Sequence, residues 1–367
     1  MKSAYRFLRR YRLLAEPLEP RVLLASDLDS LGSLQCNLAD HPVGCSCAAC
    51  GSAPPWAAVG DRDTTDPIID ADGNVLYWDP IPAEVGEDFD DGGSAGGDIL
   101  GGAGGETVPL SEIPLLHSDA SAAKKIFLDF TGHTVSGTSW NNTYYDRQPI
   151  HAPAFDLDGD IFTFNTIELD RIFDIWERVS EDFAPFNVDV TTEEPEASVL
   201  TQGGQGIRAL ITSTVDDTRL GGTGDHWFGT AGGVAYVGTF STSGDVPAWI
   251  FENHLQGSAK KIAEATSHEV GHTLGLNHDG QTGGVNYYEG HGTGDTGWAP
   301  IMGTAYYKPV SQWSRGEYTN ANNPEDDLDR MTRVISYRTD DFGNDASSAT
   351  PLVASDGASI STQGLIE

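Results

Sequence analysis

The sequence predicts an α/β arrangement in which helices lie against a small sheet, and three observations carry that reading. Short apolar runs recur between residues 122 and 240, one long stretch has a single helical apolar face, and glycine and proline punctuate the rest. Lys125-Ile126-Phe127-Leu128-Asp129-Phe130 reads as the first, buried strand. From about Thr166 to Phe183, residues Leu169, Ile172, Phe173, Trp176, Val179 and Phe183 recur at helical spacing. Thr166 can cap that helix and Pro185 ends it. Phe186 to Thr191, Ile207 to Ser213 and Gly233 to Gly238 are further strands. Ala259, Lys260, Ile262, Ala263, Glu264 and Ala265 are good helix formers and open a second helix.

Charge divides the 367-residue chain. The net charge is −34, yet Lys2, Arg6, Arg9, Arg10, Arg12 and Arg21 face only Glu16 and Glu19 in the first 22 residues. So acidic a surface repels phosphate backbones, which excludes nucleic acid as a partner and disfavours anionic membranes. No apolar run is long enough to span a bilayer. Residues 1–30 read as a targeting segment, and Leu18-Glu19-Pro20-Arg21-Val22-Leu23-Leu24 resembles a sorting motif of bacterial surface and secreted proteins. The expected location is therefore secreted or cell-surface, by bacterial export.

Residues 31–121 read as a cysteine-containing pro-segment followed by an acidic, glycine-rich linker. Gly92 to Gly105 holds eight glycines in fourteen positions and cannot bury a core. Cys36, Cys45, Cys47 and Cys50 fit a local disulfide pair or a small metal knuckle; the alternative is a thiolate that occupies a downstream metal and keeps a zymogen silent. The main domain is expected over 122–340, and 341–367 reads as the start of a truncated module or a tail.

The run His268-Glu269-Val270-Gly271-His272-Thr273-Leu274-Gly275-Leu276-Asn277-His278-Asp279 carries the chemistry. On a helix, His268 and His272 are i and i+4, so both imidazoles leave one face and can share an ion. Glu269 is rotated by about 100°, beside such a metal without ligating it. Gly275 accepts a left-handed backbone and stops the helix, after which the chain returns with His278 as third ligand. Three imidazoles leave a fourth position for water, the pattern of a catalytic zinc. In a chain of this composition the pattern arises by chance on the order of 10⁻⁵ to 10⁻⁴ times.

With this motif, and with Ala299-Pro300-Ile301-Met302-Gly303-Thr304 downstream, the sequence resembles the metzincin metallopeptidases over roughly residues 122–340. Asp279 directly after the third histidine is most like bacterial members of the adamalysin (reprolysin) branch. The resemblance implies a zincin-like α+β fold: a small twisted mixed sheet, an active-site helix, and a C-terminal subdomain after His278. It gives Met302 the role of an apolar floor under the imidazoles, and Gly232 to Val237 that of an edge strand pairing with an extended substrate. Two departures stand out. The tyrosine ligand that some members carry two positions after the methionine is Thr304 here, with Tyr306 and Tyr307 later, and the matrixin pro-segment cysteine motif is missing.

The expected function is a zinc-dependent endopeptidase acting on protein or peptide substrate, with Glu269 as general base and His268, His272 and His278 on Zn2+. The alternative is a non-catalytic adhesion or binding module on the same scaffold, which has no use for an intact base. A third is a zinc hydrolase of another bond. Asp156-Leu157-Asp158-Gly159-Asp160 is compatible with Ca2+, but Ile167 stands where an EF-hand needs Glu, and a solvated acidic turn is the simpler reading. Oligomeric state is not encoded in any motif.

Overall fold

The computed structural model describes residues 67–81, 107–213, 231–339, 347 and 349. The targeting segment, the four cysteines, Gly92 to Gly105 and nearly all of 341–367 lie outside these residues. The strands, in chain order, are β1 (Ile68–Ile69), β2 (Val75–Pro80), β3 (Val108–Pro109), β4 (Lys125–Asp129), β5 (His133–Val135), β6 (Ile150–Ala152), β7 (Thr163–Phe164), β8 (Asp189–Thr191), β9 (Gly206–Thr212), β10 (Ala231–Tyr236), β11 (Ala248–Phe251), β12 (Trp298–Pro300) and β13 (Val310–Gln312). The α-helices are α1 (Ser139–Tyr144), α2 (Thr166–Asp182), α3 (Ala197–Thr201), α4 (Ala259–Thr273) and α5 (Asp327–Thr332). None of the described helices is long and apolar enough to cross a membrane.

Seven strands form one mixed sheet in the order β1-β2-β10-β11-β9-β4-β8. β8, β4, β9 and β11 run parallel, while β10 is antiparallel to both of its neighbours. Ribbons β3–β7, β5–β6 and β12–β13 complete the set. The mixed sheet and few helices agree with the zincin-like α+β expectation.

Alternation along the strands explains how both faces are covered, since successive side chains point to opposite sides. Ile207, Ala209, Ile211, Ile250 and Ala235 point to a core shared with α2 and α4. Leu76, Trp78, Leu210, Val234, Tyr236, Trp249 and Phe251 point to a second core, closed by Trp140 and Tyr144 of α1. Helix α2 starts one residue earlier in function than expected. Its N-cap is Asn165, whose side chain accepts from Ile167 N and Glu168 N, while Glu168 Oε2 accepts from Asn165 N. Thr166 is the first helical residue instead of the cap, because an Asn–Glu box satisfies more of the exposed N–H groups than a lone hydroxyl.

One expectation about the sheet is corrected. Val75–Pro80, inside the stretch that reads as pro-segment and linker, is a strand of the main sheet. As a result β10 is not an edge strand. It lies between β2 and β11, because a segment of the same chain takes the position expected for substrate.

Candidate metal centre

Helix α4 positions the first half of the motif. Ser258 caps it, accepting from Lys261 N, and it ends at Thr273, with Gly275 at φ +100° in the left-handed region where glycine is strain-free. Nearly all of α4 is buried between the sheet, α2 and the segment after His278. So deep a location for two histidines and a glutamate calls for specific partners.

Backbone carbonyls supply those partners for both histidines. His268 Nδ1 lies 2.7 Å from the Ile301 carbonyl and His272 Nδ1 lies 2.9 Å from the Leu276 carbonyl. A carbonyl only accepts, so both Nδ1 atoms carry the proton and both Nε2 atoms turn their lone pairs inward. His272 Nε2 and His278 Nε2 face each other at 3.1 Å. Burial shifts the pKa of His268 down to about 3 and that of His278 downward, which favours the neutral form of these two, the form a metal ligand takes. His278 is held from behind by Asn323, whose Nδ2 donates to the His278 and Asn277 carbonyls. Met302 is fully buried, and its Sδ lies 2.7 Å from where a Cβ on Gly271 would be.

A fourth donor joins them. Asp79, near the end of β2, places Oδ1 2.8 Å from His278 Nε2 and Oδ2 3.4 Å and 3.7 Å from His272 and His268 Nε2. The four residues form one candidate metal-holding group. For zinc with ligands at about 2.0–2.1 Å, donor-to-donor edges of a tetrahedron are about 3.3–3.4 Å, and these separations bracket that value. His268 Nε2 and Asp79 Oδ2 are buried without a hydrogen-bond partner, which a shared cation resolves. The residues present fit zinc.

Glu269 sits beside this group, 1% exposed, with its carboxylate packed against the backbone of β10 at Gly233. A Cβ at Gly233 would clash with the Glu269 side chain along its length. Burial, and then the adjacent Asp79 carboxylate, push the Glu269 pKa well above the usual carboxylate range. Aromatic rings wall the site. Tyr77 stacks on His272 with centroids 4.5 Å apart and lies 4.1 Å from His278, and its hydroxyl donates to Asn277 Oδ1. Tyr287 packs on His278 at 4.4 Å and donates to Asp79 Oδ1 at 2.6 Å. Tyr306 is packed close to Gly232, and Thr304 is buried with its N–H on the Tyr288 carbonyl.

The structure thus brings together all four residues singled out from the motif, and adds Asp79, Tyr77 and Tyr287. Asp79 had one available signal, the run Val75-Leu76-Tyr77-Trp78, which has strand character. The acidic loop at 156–160 is a different case. Asp156 Oδ1 accepts from Asp158 N and Gly159 N, Asp158 Oδ1 from Asp160 N, and Glu168 Oε1 from Leu157 N. Asp156, Asp158 and Glu168 lie close enough to share an ion, but these turn-forming bonds already occupy them and lend calcium no support.

Comparison with known families adds one finding. The model of Metallo-peptidase family M12 (Reprolysin_5) matches residues 210–314, from the end of β9 through Met302 to just beyond β13. That stretch is less than a third of the chain, contains all three histidines and Glu269, and supports a zinc metallopeptidase of the metzincin type. No curated protein and no solved structure matches the chain.

Proposed function

We propose that the chain is a secreted or cell-surface zinc endopeptidase made as a zymogen. The observation that carries the reading is the convergence of three buried Nε2 atoms, two of them from α4, with Glu269 next to His268 on that helix. His268, His272 and His278 would hold a zinc ion, which would supply Lewis acidity toward a carbonyl oxygen and make water a stronger acid. Glu269, fixed against Gly233, takes a proton from the attacking water and gives it to the leaving amine. β10 supplies backbone N–H and C=O groups for an extended peptide once its outer side is clear, which favours peptide over other carbonyl substrates. The basic N-terminus and the 18–24 motif support export. Retention of Glu269 argues against a purely adhesive module, since holding the metal does not require it.

The test is cleavage of a peptide library by the zinc-loaded full chain and by its Asp79→Ala variant, in parallel with Glu269→Gln and with added chelator. Cleavage that both controls abolish is the expected result. A folded, zinc-loaded Asp79→Ala chain that binds a short peptide hydroxamate, and so has an open cleft, yet cuts nothing would remove the peptidase reading in favour of the binding module.

A further inference from the structure

We infer that Val75–Pro80 is a built-in occupant of the active site, with Asp79 as a displaceable ligand of the metal held by His268, His272 and His278. The inference rests on the zinc reading of that site.

Three independent features of the segment point the same way. The first is its backbone. β2 pairs antiparallel with β10 through Leu76–Tyr236, Tyr77–Ala235, Trp78–Val234, Asp79–Gly233 and Pro80–Ala231. It therefore uses up the hydrogen-bonding edge that an extended peptide would need. The pairing shifts register between Ala231 and Gly233, opposite Asp79.

The second is the division of its side chains. Leu76 and Trp78 are buried in the core on the far face of the sheet. Tyr77 and Asp79, on the opposite face, meet the histidines: Tyr77 covers His272 and His278, and Asp79 reaches all three Nε2 atoms. This six-residue strand thus fills the site with one face and is anchored by the other.

The third is the cost of the arrangement without a cation. Asp79 is 4% exposed, and beside it lies Glu269, itself buried. A buried aspartate turned onto three imidazole Nε2 atoms, with Asp79 Oδ2 and His268 Nε2 left without hydrogen-bond partners, is unfavourable unless a positive ion sits among them. A carboxylate completing a three-histidine set closes the position that a catalytic site keeps open. It also stands where Glu269 needs the attacking water. Tyr287, donating to Asp79 Oδ1, holds the carboxylate in that pose.

The consequence is an equilibrium between a covered and an open site. A ligand that needs the fourth metal position binds in proportion to the open fraction, so its apparent affinity is weakened by that factor. Cutting the chain on the C-terminal side of Pro80 leaves β1 and β2 held by non-covalent contacts alone, and so favours the open form.

The experiment compares the full-length wild type with Asp79→Ala and Asp79→Asn, all zinc-loaded, by calorimetric titration with a short peptide hydroxamate. Tighter binding by both variants, by about 100-fold or more with unchanged zinc stoichiometry, is the expected result. Equal affinities for zinc-loaded wild type and variants would overturn the inference. A second arm does not depend on relieving the block. In cobalt-substituted Asp79→Cys, a thiolate-to-cobalt charge-transfer band that the wild type lacks places residue 79 on the metal. Its absence from folded, cobalt-loaded protein would overturn the inference as well. The wild type is the reference for Cys36, Cys45, Cys47 and Cys50, which both chains share. Tight hydroxamate binding by Asp79→Ala without peptide cleavage would leave this inference standing and defeat the peptidase reading alone.

Discussion

Two stretches of chain meet at the same four donor atoms and could hardly be built more differently. His268–Asp279 brings three histidines and Glu269 on one helix and the turn that follows, so their relation is set by local geometry. Val75–Pro80 brings a single ligand on a strand, and that ligand is in place only because β10 lies alongside. The helical arm makes the site, whereas the strand arm is tied to it by contacts that can be exchanged for others. The contrast teaches that local spacing places one set of donors and sheet pairing the other, which under the proposal above is the removable one.

The largest effect expected on either arm comes from the helical one. His272→Ala removes a ligand whose other nitrogen is fixed by Leu276, and zinc content measured by atomic absorption should fall to background along with activity. Next is Glu269→Gln in the Asp79→Ala background, which should keep zinc and lose about 10²–10⁴ in kcat. Should it keep near-parental turnover, Glu269 is not the base. Gly233→Ala tests the point where the arms share β10: an added Cβ must displace the Glu269 carboxylate, at a cost on the order of 10²-fold in kcat. Zinc stoichiometry should be unaffected, and an unchanged kcat would mean that this packing does not position the base.

On the strand arm, Tyr287→Phe removes the hydrogen bond to Asp79, and hydroxamate affinity of the otherwise wild-type chain should rise about tenfold. The smallest effect lies outside both arms and serves as their control. Burial raises the pKa of Glu252 to about 8, against the Ser213 hydroxyl that donates to it. The folded state therefore binds this proton more tightly than the unfolded chain, so the contribution is present at low pH and lost as pH rises through about 8. Thermal melts of the wild type should decline from about pH 5 to 8, and Glu252→Gln should flatten that decline without abolishing it. Other carboxylates raised by burial, among them Asp279 to about 7 and Asp327 to about 9, contribute to the rest of the decline.

How much of this was legible in the sequence follows the same division. The positions of His268, Glu269 and His272 could be read because a helix has one period, and Gly275 as the stop because few residues take φ +100°. The helix over Thr166–Asp182 could be read for the same reason, though its cap could not, since Asn165 and Thr166 are both good N-caps and only the reciprocal bond from Glu168 decides between them. Asp79 could not be read as a ligand. A lone aspartate in a strand has no periodic partner, and its meaning depends on pairing with residues more than 150 positions away. The edge position of β10 failed on the same ground: strand periodicity tells which side chains share a face and is silent on which strand lies alongside.

One contact described above bears on any attempt to redesign the centre. Met302 Sδ occupies the space that a side chain on Gly271 would claim, and this close approach lets Ile301, the next residue back, offer its carbonyl to His268. Helix and turn are fitted like mortise and tenon, so enlarging residue 271 would back the turn away and free the imidazole it steadies. Attempts to recruit a different ion should therefore leave that joint untouched and vary residue 79, where the donor can be changed without recutting the frame.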